Sequence, residues 1–203
     1  MLRIGIYGGS FSPIHNGHIK AVKAFLEQMQ LDFCYVIPTF IPPHKATSGV
    51  IAPEHRIRMC ELAFKDTDGI VVSDIEIKRG GTSYTVDTLR QLAGDDRRLF
   101  FLMGTDMLLT LDKWRSPDEI FKLCYPVYMR RESDGAKDAE IIEKIADYRK
   151  RFGKTVMKIV ADPIEISSTV VRSKIARGED VSSLIPQAVE DYVRENGLYL
   201  SED

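Results

Sequence analysis

The chain has 203 residues, the length of about one domain. With 28 Lys and Arg against 30 Asp and Glu the net charge is −2, which argues against a protein that coats polyanions, and 44% hydrophobic with 29% charged residues exclude a disordered chain. Apolar runs of about five residues, such as Leu99–Met103, are too short for a transmembrane helix, no leader-like N-terminus is visible, and the widely spaced Cys34, Cys60 and Cys124 form no CxxC pair; the expectation is a cytoplasmic protein with reduced thiols and no membrane or nucleic-acid partner.

In chain order, apolar Leu2–Tyr7, stopped by Gly8-Gly9, predicts a buried strand. Helical spacing predicts a helix over Asn16–Gln28, followed by a strand at Phe33–Ile37. A loop with four prolines runs from Pro38 to Pro53, then a helix over Glu54–Phe64 and a strand at Ile70–Ser73. A helix over Ser83–Leu92, a strand at Leu99–Met103, a short helix at Pro117–Leu123 and a strand at Val127–Met129 come next. Asp138–Phe152 is the clearest amphipathic helix, with Ile141, Ile145, Tyr148 and Phe152 on one stripe. Val156–Val160 is the last predicted strand, and Ser168–Arg177 and Pro186–Glu195 the closing helices. Strands alternating with helices predict an α/β fold: a Rossmann-like, mostly parallel sheet with helices on both faces, in one domain over 1–203 that closes with the helices of 166–203. Ligands of such sheets sit beyond the strand C-termini, where the residues richest in chemistry also fall.

The first of these segments is Gly8-Gly9-Ser10-Phe11-Ser12-Pro13-Ile14-His15-Asn16-Gly17-His18. Glycines let a backbone approach a phosphate, and the amides of a helix start favour anions. His15 and His18, three apart, project from one side of the helix start, and each imidazole can donate to a phosphoryl oxygen. The pair could instead ligate a metal or pack in the core; no third ligand is evident, and neither GxGxxG nor GxxxxGK[ST] is present. Residues 1–60 hold six Lys and Arg against three Asp and Glu, and all four histidines lie in the first 55 positions, a balance that suits a small anion.

Gly8–His18 resembles the GGxFxPxHxGH signature of the nucleotidylyltransferase superfamily, whose HxGH is shared with class I aminoacyl-tRNA synthetases; the KMSKS-like loop of the latter is missing. The second superfamily signature, ISSTxxR, is matched by Ile166-Ser167-Ser168-Thr169-Val170-Val171-Arg172. Within the superfamily, Pro42-Pro43-His44-Lys45, Ser83-Tyr84-Thr85-Val86-Asp87-Thr88-Leu89, and Gly104-Thr105-Asp106 with Trp114 are similar to the PPHK, SYTxDTL and GxD-tryptophan segments of bacterial nicotinate-nucleotide adenylyltransferases. Ser12 stands where that family more often has aspartate, and Arg115 follows the tryptophan where an aromatic is common.

The resemblance implies adenylyl transfer from ATP to nicotinate mononucleotide, giving nicotinate adenine dinucleotide and pyrophosphate, with Mg2+ carried by ATP and no dedicated metal ligands. It implies His15, His18 and Arg172 as catalytic groups. ATP would meet Gly8, Gly9, Ser10, Phe11, Lys45, Gly104 and Asp106, with Ile166, Ser167, Ser168 and Thr169 cradling pyrophosphate beside Arg172. The mononucleotide would meet Ser10, His44, Lys45, the amides at Tyr84 and Thr85, and a stacking wall at Trp114; Ser83 or Thr85 could cap the helix that follows. Adenylyl transfer to phosphopantetheine or to nicotinamide mononucleotide, or a non-catalytic nucleotide sensor, are the alternatives on this fold. The phosphopantetheine enzyme lacks the PPHK and SYTxDTL segments, and a sensor would be expected to lose a histidine or the arginine.

Overall fold

The computed structural model describes residues 1–43, 50–130, 136–161 and 166–200. Six strands, β1 (Leu2–Gly9), β2 (Phe33–Pro38), β3 (Ile70–Val72), β4 (Arg97–Gly104), β5 (Cys124–Met129) and β6 (Met157–Ile159), form one sheet in the order β3-β2-β1-β4-β5-β6. Every pairing is parallel; β1 lies between β2, with Ile4 opposite Phe33, and β4, with Ile4 opposite Leu99.

The two faces divide the strand residues by parity. Cys34, Val36, Phe100, Leu102, Val127 and Ile159 enter one core; α1 (Asn16–Gln28), α2 (Pro53–Phe64), α8 (Ser168–Ala176) and α9 (Gln187–Glu195) cover it through Val22, Phe25, Cys60, Phe64, Val171 and Val189. Ile4, Ile6, Ile37, Leu99, Phe101 and Tyr128 enter the other, beneath α3 (Ile75–Arg79), α4 (Thr85–Leu92), α5 (Thr105–Thr110), α6 (Pro117–Leu123) and α7 (Asp138–Phe152). Burial on both faces explains why these strands are almost continuously apolar. The fold is thus the expected α/β, Rossmann-like sheet. No helix among the described residues is long and apolar enough to cross a membrane.

Three departures from the expected elements have local causes. Helices α3 and α5 are additions to the expected elements: at five and six residues they span less than two turns, too few for an apolar spacing to repeat. Strand β5 begins at Cys124 rather than Val127, because Pro126 interrupts the apolar pattern; Pro126 pairs with β4 yet stands just outside the stretch that β6 joins. Helix α4 begins at Thr85, leaving Ser83 outside it.

The chain builds β1, β2 and β3 outward in one direction, then returns across the sheet to place β4 on the other side of β1. This reversal opens a crevice between the C-terminal ends of β1 and β4, where Gly8, Gly9 and Gly104 lie.

Candidate active site

A Cβ on Gly8 would meet no atom nearer than 4.0 Å, so this glycine leaves the strand end open. At Gly9 the constraint is internal: a Cβ there would come within 2.9 Å of the Phe11 ring. Phe11, expected among the ATP contacts, is buried with a left-handed φ of 47°, and its ring lies edge-on to His18 at 5.1 Å. Its side chain is therefore a floor beneath the histidine, and a ligand could meet only its backbone.

His15 is the N-cap of α1 and only 3% exposed. Its ring stacks on that of His18 with centroids 3.6 Å apart. The His15 backbone N–H donates to His18 Nδ1 at 3.2 Å. That bond requires an unprotonated Nδ1, so neutral His18 carries its proton on Nε2 as a donor for a ligand. The two rings border a narrow cavity of about 10 Å³ together with Tyr7, Met129, Arg130 and Ile166.

The ISSTxxR segment is docked directly onto this loop. Ser167 caps α8 by accepting from the Val170 N–H at 3.2 Å. Ser168 Oγ donates to the Pro13 carbonyl at 2.9 Å. Arg172 donates from Nη1 to the Ser12 carbonyl at 2.8 Å and from Nη2 to Thr169 Oγ1 at 3.3 Å. The two superfamily motifs thus meet, with the histidine pair and the guanidinium on one loop. Ser12, buried, also shares a hydroxyl contact of 3.0 Å with Tyr199.

On the other side, Tyr84 is the N-cap of α4 and no side chain caps that helix. Ser83, one of the expected caps, instead accepts from the Phe40 N–H at 2.9 Å. Thr88, another residue of the SYTxDTL segment, donates to buried Glu76 at 2.6 Å and accepts from Arg79. Trp114 ends the short 3-10 turn at Leu111–Lys113; its ring meets Phe101 edge-on at 6.1 Å. Arg115 lies over the Tyr84 ring at 4.6 Å and 3.8 Å from Asp87. Gly104 caps α5, while Asp106, with a side chain 83% exposed, is held 2.6 Å from Lys137. His44 and Lys45 lie outside the described residues.

Two cations near the crevice escape sequence reasoning. Arg130, one residue past β5, borders the histidine cavity and pairs with Asp138 at 2.6 Å. Arg56 of α2 is 1% exposed. The signal for the second was a cation one turn from Met59 and Cys60, on the apolar stripe of an otherwise ordinary helix. Burial lowers the Arg56 pKa from its usual range. Among the described residues no three His, Cys, Asp or Glu side chains gather at a metal-sized site.

Comparisons with known proteins place the chain in a family. A family model described as cytidylyltransferase-like matches residues 6–174. A Clostridium acetobutylicum protein named as a probable nicotinate-nucleotide adenylyltransferase is 34% identical over 202 residues, covering 98% of this chain and all of the relative. A protein of the same name from a Thermoanaerobacter species is 35% identical over 205 residues, covering all of this chain and 96% of the relative. The solved Plasmodium falciparum nicotinic acid mononucleotide adenylyltransferase, complexed with NaAD, superposes with a TM-score of 0.76 at 19% identity over 98% of each chain, a likeness of fold. With both motifs docked on one loop and full-length relatives of this kind, the chain belongs to the nicotinate-nucleotide adenylyltransferase family of cytidylyltransferase-like nucleotidyltransferases.

Proposed function

We propose that the chain, acting as one catalytic unit in the cytoplasm, transfers the adenylyl group of ATP to nicotinate mononucleotide and releases pyrophosphate. The observation that carries this reading is the docking of α8 on the β1 loop, which puts Arg172 and the His15–His18 pair around the same few residues. A phosphate oxygen of the mononucleotide attacks the α-phosphorus of ATP in line; the bond from α-phosphorus to the bridging oxygen breaks, and pyrophosphate leaves with that electron pair. No protein nucleophile takes part, so the protein contributes position and charge stabilisation. Magnesium would enter as part of the ATP substrate and offset the charge of its phosphates.

His18 Nε2–H donates to the α-phosphoryl oxygens as their charge grows, with His15 stacked behind it to fix the ring. Arg172, beside the N-terminus of α8, holds the departing pyrophosphate. Ser10, Gly104 and Asp106 flank the ATP, and Lys45 with His44 serves the phosphates from the proline-rich loop. On the acceptor side the α4 N-terminus, which no side chain caps, receives the nicotinate carboxylate through the amides at Tyr84 and Thr85, the Tyr84 N–H turning to it from the Thr82 carbonyl, and Trp114 lies against the pyridine ring.

A carboxamide offers one acceptor and one NH2 donor, so it leaves one of these amides facing a donor. A buried donor without a partner costs about 1–3 kcal/mol, and mismatches of this kind support discrimination on the order of 10⁴-fold. The test is pyrophosphate release from ATP with nicotinate mononucleotide, nicotinamide mononucleotide and phosphopantetheine offered separately. The acid should be used with a much larger kcat/KM than the amide, and phosphopantetheine not at all. Equal use of acid and amide would overturn the assignment of the acceptor.

A further inference from the structure

Thr39, Phe40 and Ile41 leave the end of β2 beside the β1 loop, and each is fastened to that loop or to the segment before α4. Thr39 N–H donates to the Gly9 carbonyl at 2.9 Å. Arg56 Nη1 donates to the Thr39 carbonyl at 2.7 Å and to the Ser10 carbonyl at 3.0 Å, while its Nε donates to the Ile51 carbonyl at 3.0 Å. Phe40 N–H then donates to Ser83 Oγ at 2.9 Å, Ser83 N–H donates to the Ile41 carbonyl at 2.8 Å, and Ile41 pairs with Thr82. Three consecutive residues therefore join the phosphate loop at Gly9 and Ser10 to the segment that opens α4.

The choice of Arg at 56 is costly on packing grounds alone. A guanidinium this deeply buried gives up its hydration, and an apolar residue would suit the stripe of α2 formed by Met59, Cys60 and Phe64. Its three bonds go to main-chain carbonyls of three separate segments, a task for which its rigid planar fork of donors is suited and the single flexible ammonium of Lys is not. Ser83, 5% exposed, satisfies the Phe40 amide at the other end of the strut.

We propose that Arg56 and Ser83 are positioning residues which, through the Thr39–Ile41 strut, set the separation between the ATP loop and the acceptor segment. This rests on the reading that donor and acceptor occupy those two halves. In-line attack needs the reacting atoms about 3–3.5 Å apart, and a displacement of about 1 Å can cost on the order of 100-fold in rate. Each half-site is assembled from its own contacts. Loosening the strut therefore spares the binding of either substrate alone and harms the step that needs both at a fixed spacing.

The experiment compares R56K, S83A and the double variant in the full chain, after circular dichroism and thermal melting establish that each is folded. We expect kcat at saturating ATP and nicotinate mononucleotide to fall at least about tenfold in each single variant, with each binary Kd by calorimetry within about threefold of wild type. Because both variants break one strut, the double variant should be little worse than the weaker single one, where independent effects would multiply. Unchanged kcat in the folded single variants, losses confined to the binary Kd values, or multiplying effects would each overturn the inference. If R56K does not fold, S83A alone decides by the same kcat and Kd criteria. A wild-type protein that makes no dinucleotide from these substrates removes the functional reading itself, whereas normal wild-type turnover with unaffected variants removes only the strut.

Discussion

The two halves of the crevice are held by different forces. On the ATP side the anchors are main-chain carbonyls: Arg172 on Ser12 and Ser168 on Pro13, both short and partly shielded from water. On the acceptor side the buried bonds of Ser83 and Thr88 are joined by charges near solvent, Arg115 with Asp87 and Arg90 with Glu119. Exposed pairs of that kind contribute about 0–1 kcal/mol and weaken with salt, whereas bonds to main-chain groups out of water fix geometry more firmly. The loop of the ATP side is thereby preorganised for charge stabilisation, while the solvent-facing rim of the acceptor side is held more weakly.

The largest expected effect breaks the ATP side. Removing the imidazole in His18→Ala takes away one preorganised donor, worth about 100-fold or more in kcat. ATP affinity should change far less, because the donor matters most when charge builds on the α-phosphoryl group. A folded variant with kcat within a few-fold of wild type would exclude His18 from the mechanism.

Arg172→Ala comes next. Hydrogen bonds made by charged groups contribute about 1.5–3 kcal/mol, so ATP and pyrophosphate should bind about 10–100-fold more weakly. Mononucleotide affinity should hold, since the guanidinium is bonded to the loop of the opposite half. Calorimetry showing the reverse pattern would mean that the two substrate sides are assigned the wrong way round.

What could be read in advance follows the same division. The ATP side is made of contiguous segments, Gly8–His18 and Ile166–Arg172, whose residue types fit phosphates in sequence order alone. Its strands were legible because burial on both faces makes them continuously apolar. The acceptor side is assembled across the chain. Ser83 was expected to cap a helix, but its hydroxyl meets an amide 43 residues away, which no local pattern encodes. Thr88 of the SYTxDTL segment bonds Glu76, on a five-residue helix too short to show a period. The amphipathic stripe of Asp138–Phe152 predicts a helix and carries no site motif. Its helix α7 buries Tyr148, whose hydroxyl donates to the Leu108 carbonyl at 2.7 Å, and Lys144 and Arg151 hold Asp112, two residues before Trp114. It buttresses the wall that the acceptor ring is expected to meet.

Trp114→Ala sharpens the comparison on that wall. Aromatic contacts of this type contribute about 0.5–1.5 kcal/mol beyond simple burial, so kcat/KM should fall about 2–10-fold or somewhat more. Acid and amide mononucleotides should suffer alike, because stacking does not sense the carboxylate. A change in their ratio, measured with both substrates on the same preparation, would give the tryptophan a part in selecting between them.

The smallest expected effect is one of pH, at the buried carboxylate beneath the acceptor segment. Burial raises the Glu76 pKa above its ordinary 4.5, opposed by hydrogen bonds from Thr88 and Ser83 and by the charge of Arg79. The folded state therefore holds this proton to higher pH than the unfolded chain does. Below the unfolded pKa both states are protonated and the residue contributes no pH dependence. As pH rises through the unfolded pKa toward the raised folded one, the unfolded chain ionises first, and the folded state loses stability relative to it. Glu76→Gln cannot ionise, so the loss disappears. The melting temperature of the variant minus that of wild type should climb as pH rises above about 4.5 and level off once the wild-type carboxyl is ionised in both states. The offset at low pH also includes the cost of placing an amide NH2 where Glu76 Oε2 has no partner among the described residues, so the slope with pH and not the offset is the readout. Thermal melts of both proteins at several pH values between 4 and 8 measure it. A difference that stays constant across that range would mean the Thr88, Ser83 and Arg79 contacts fully offset the burial of Glu76.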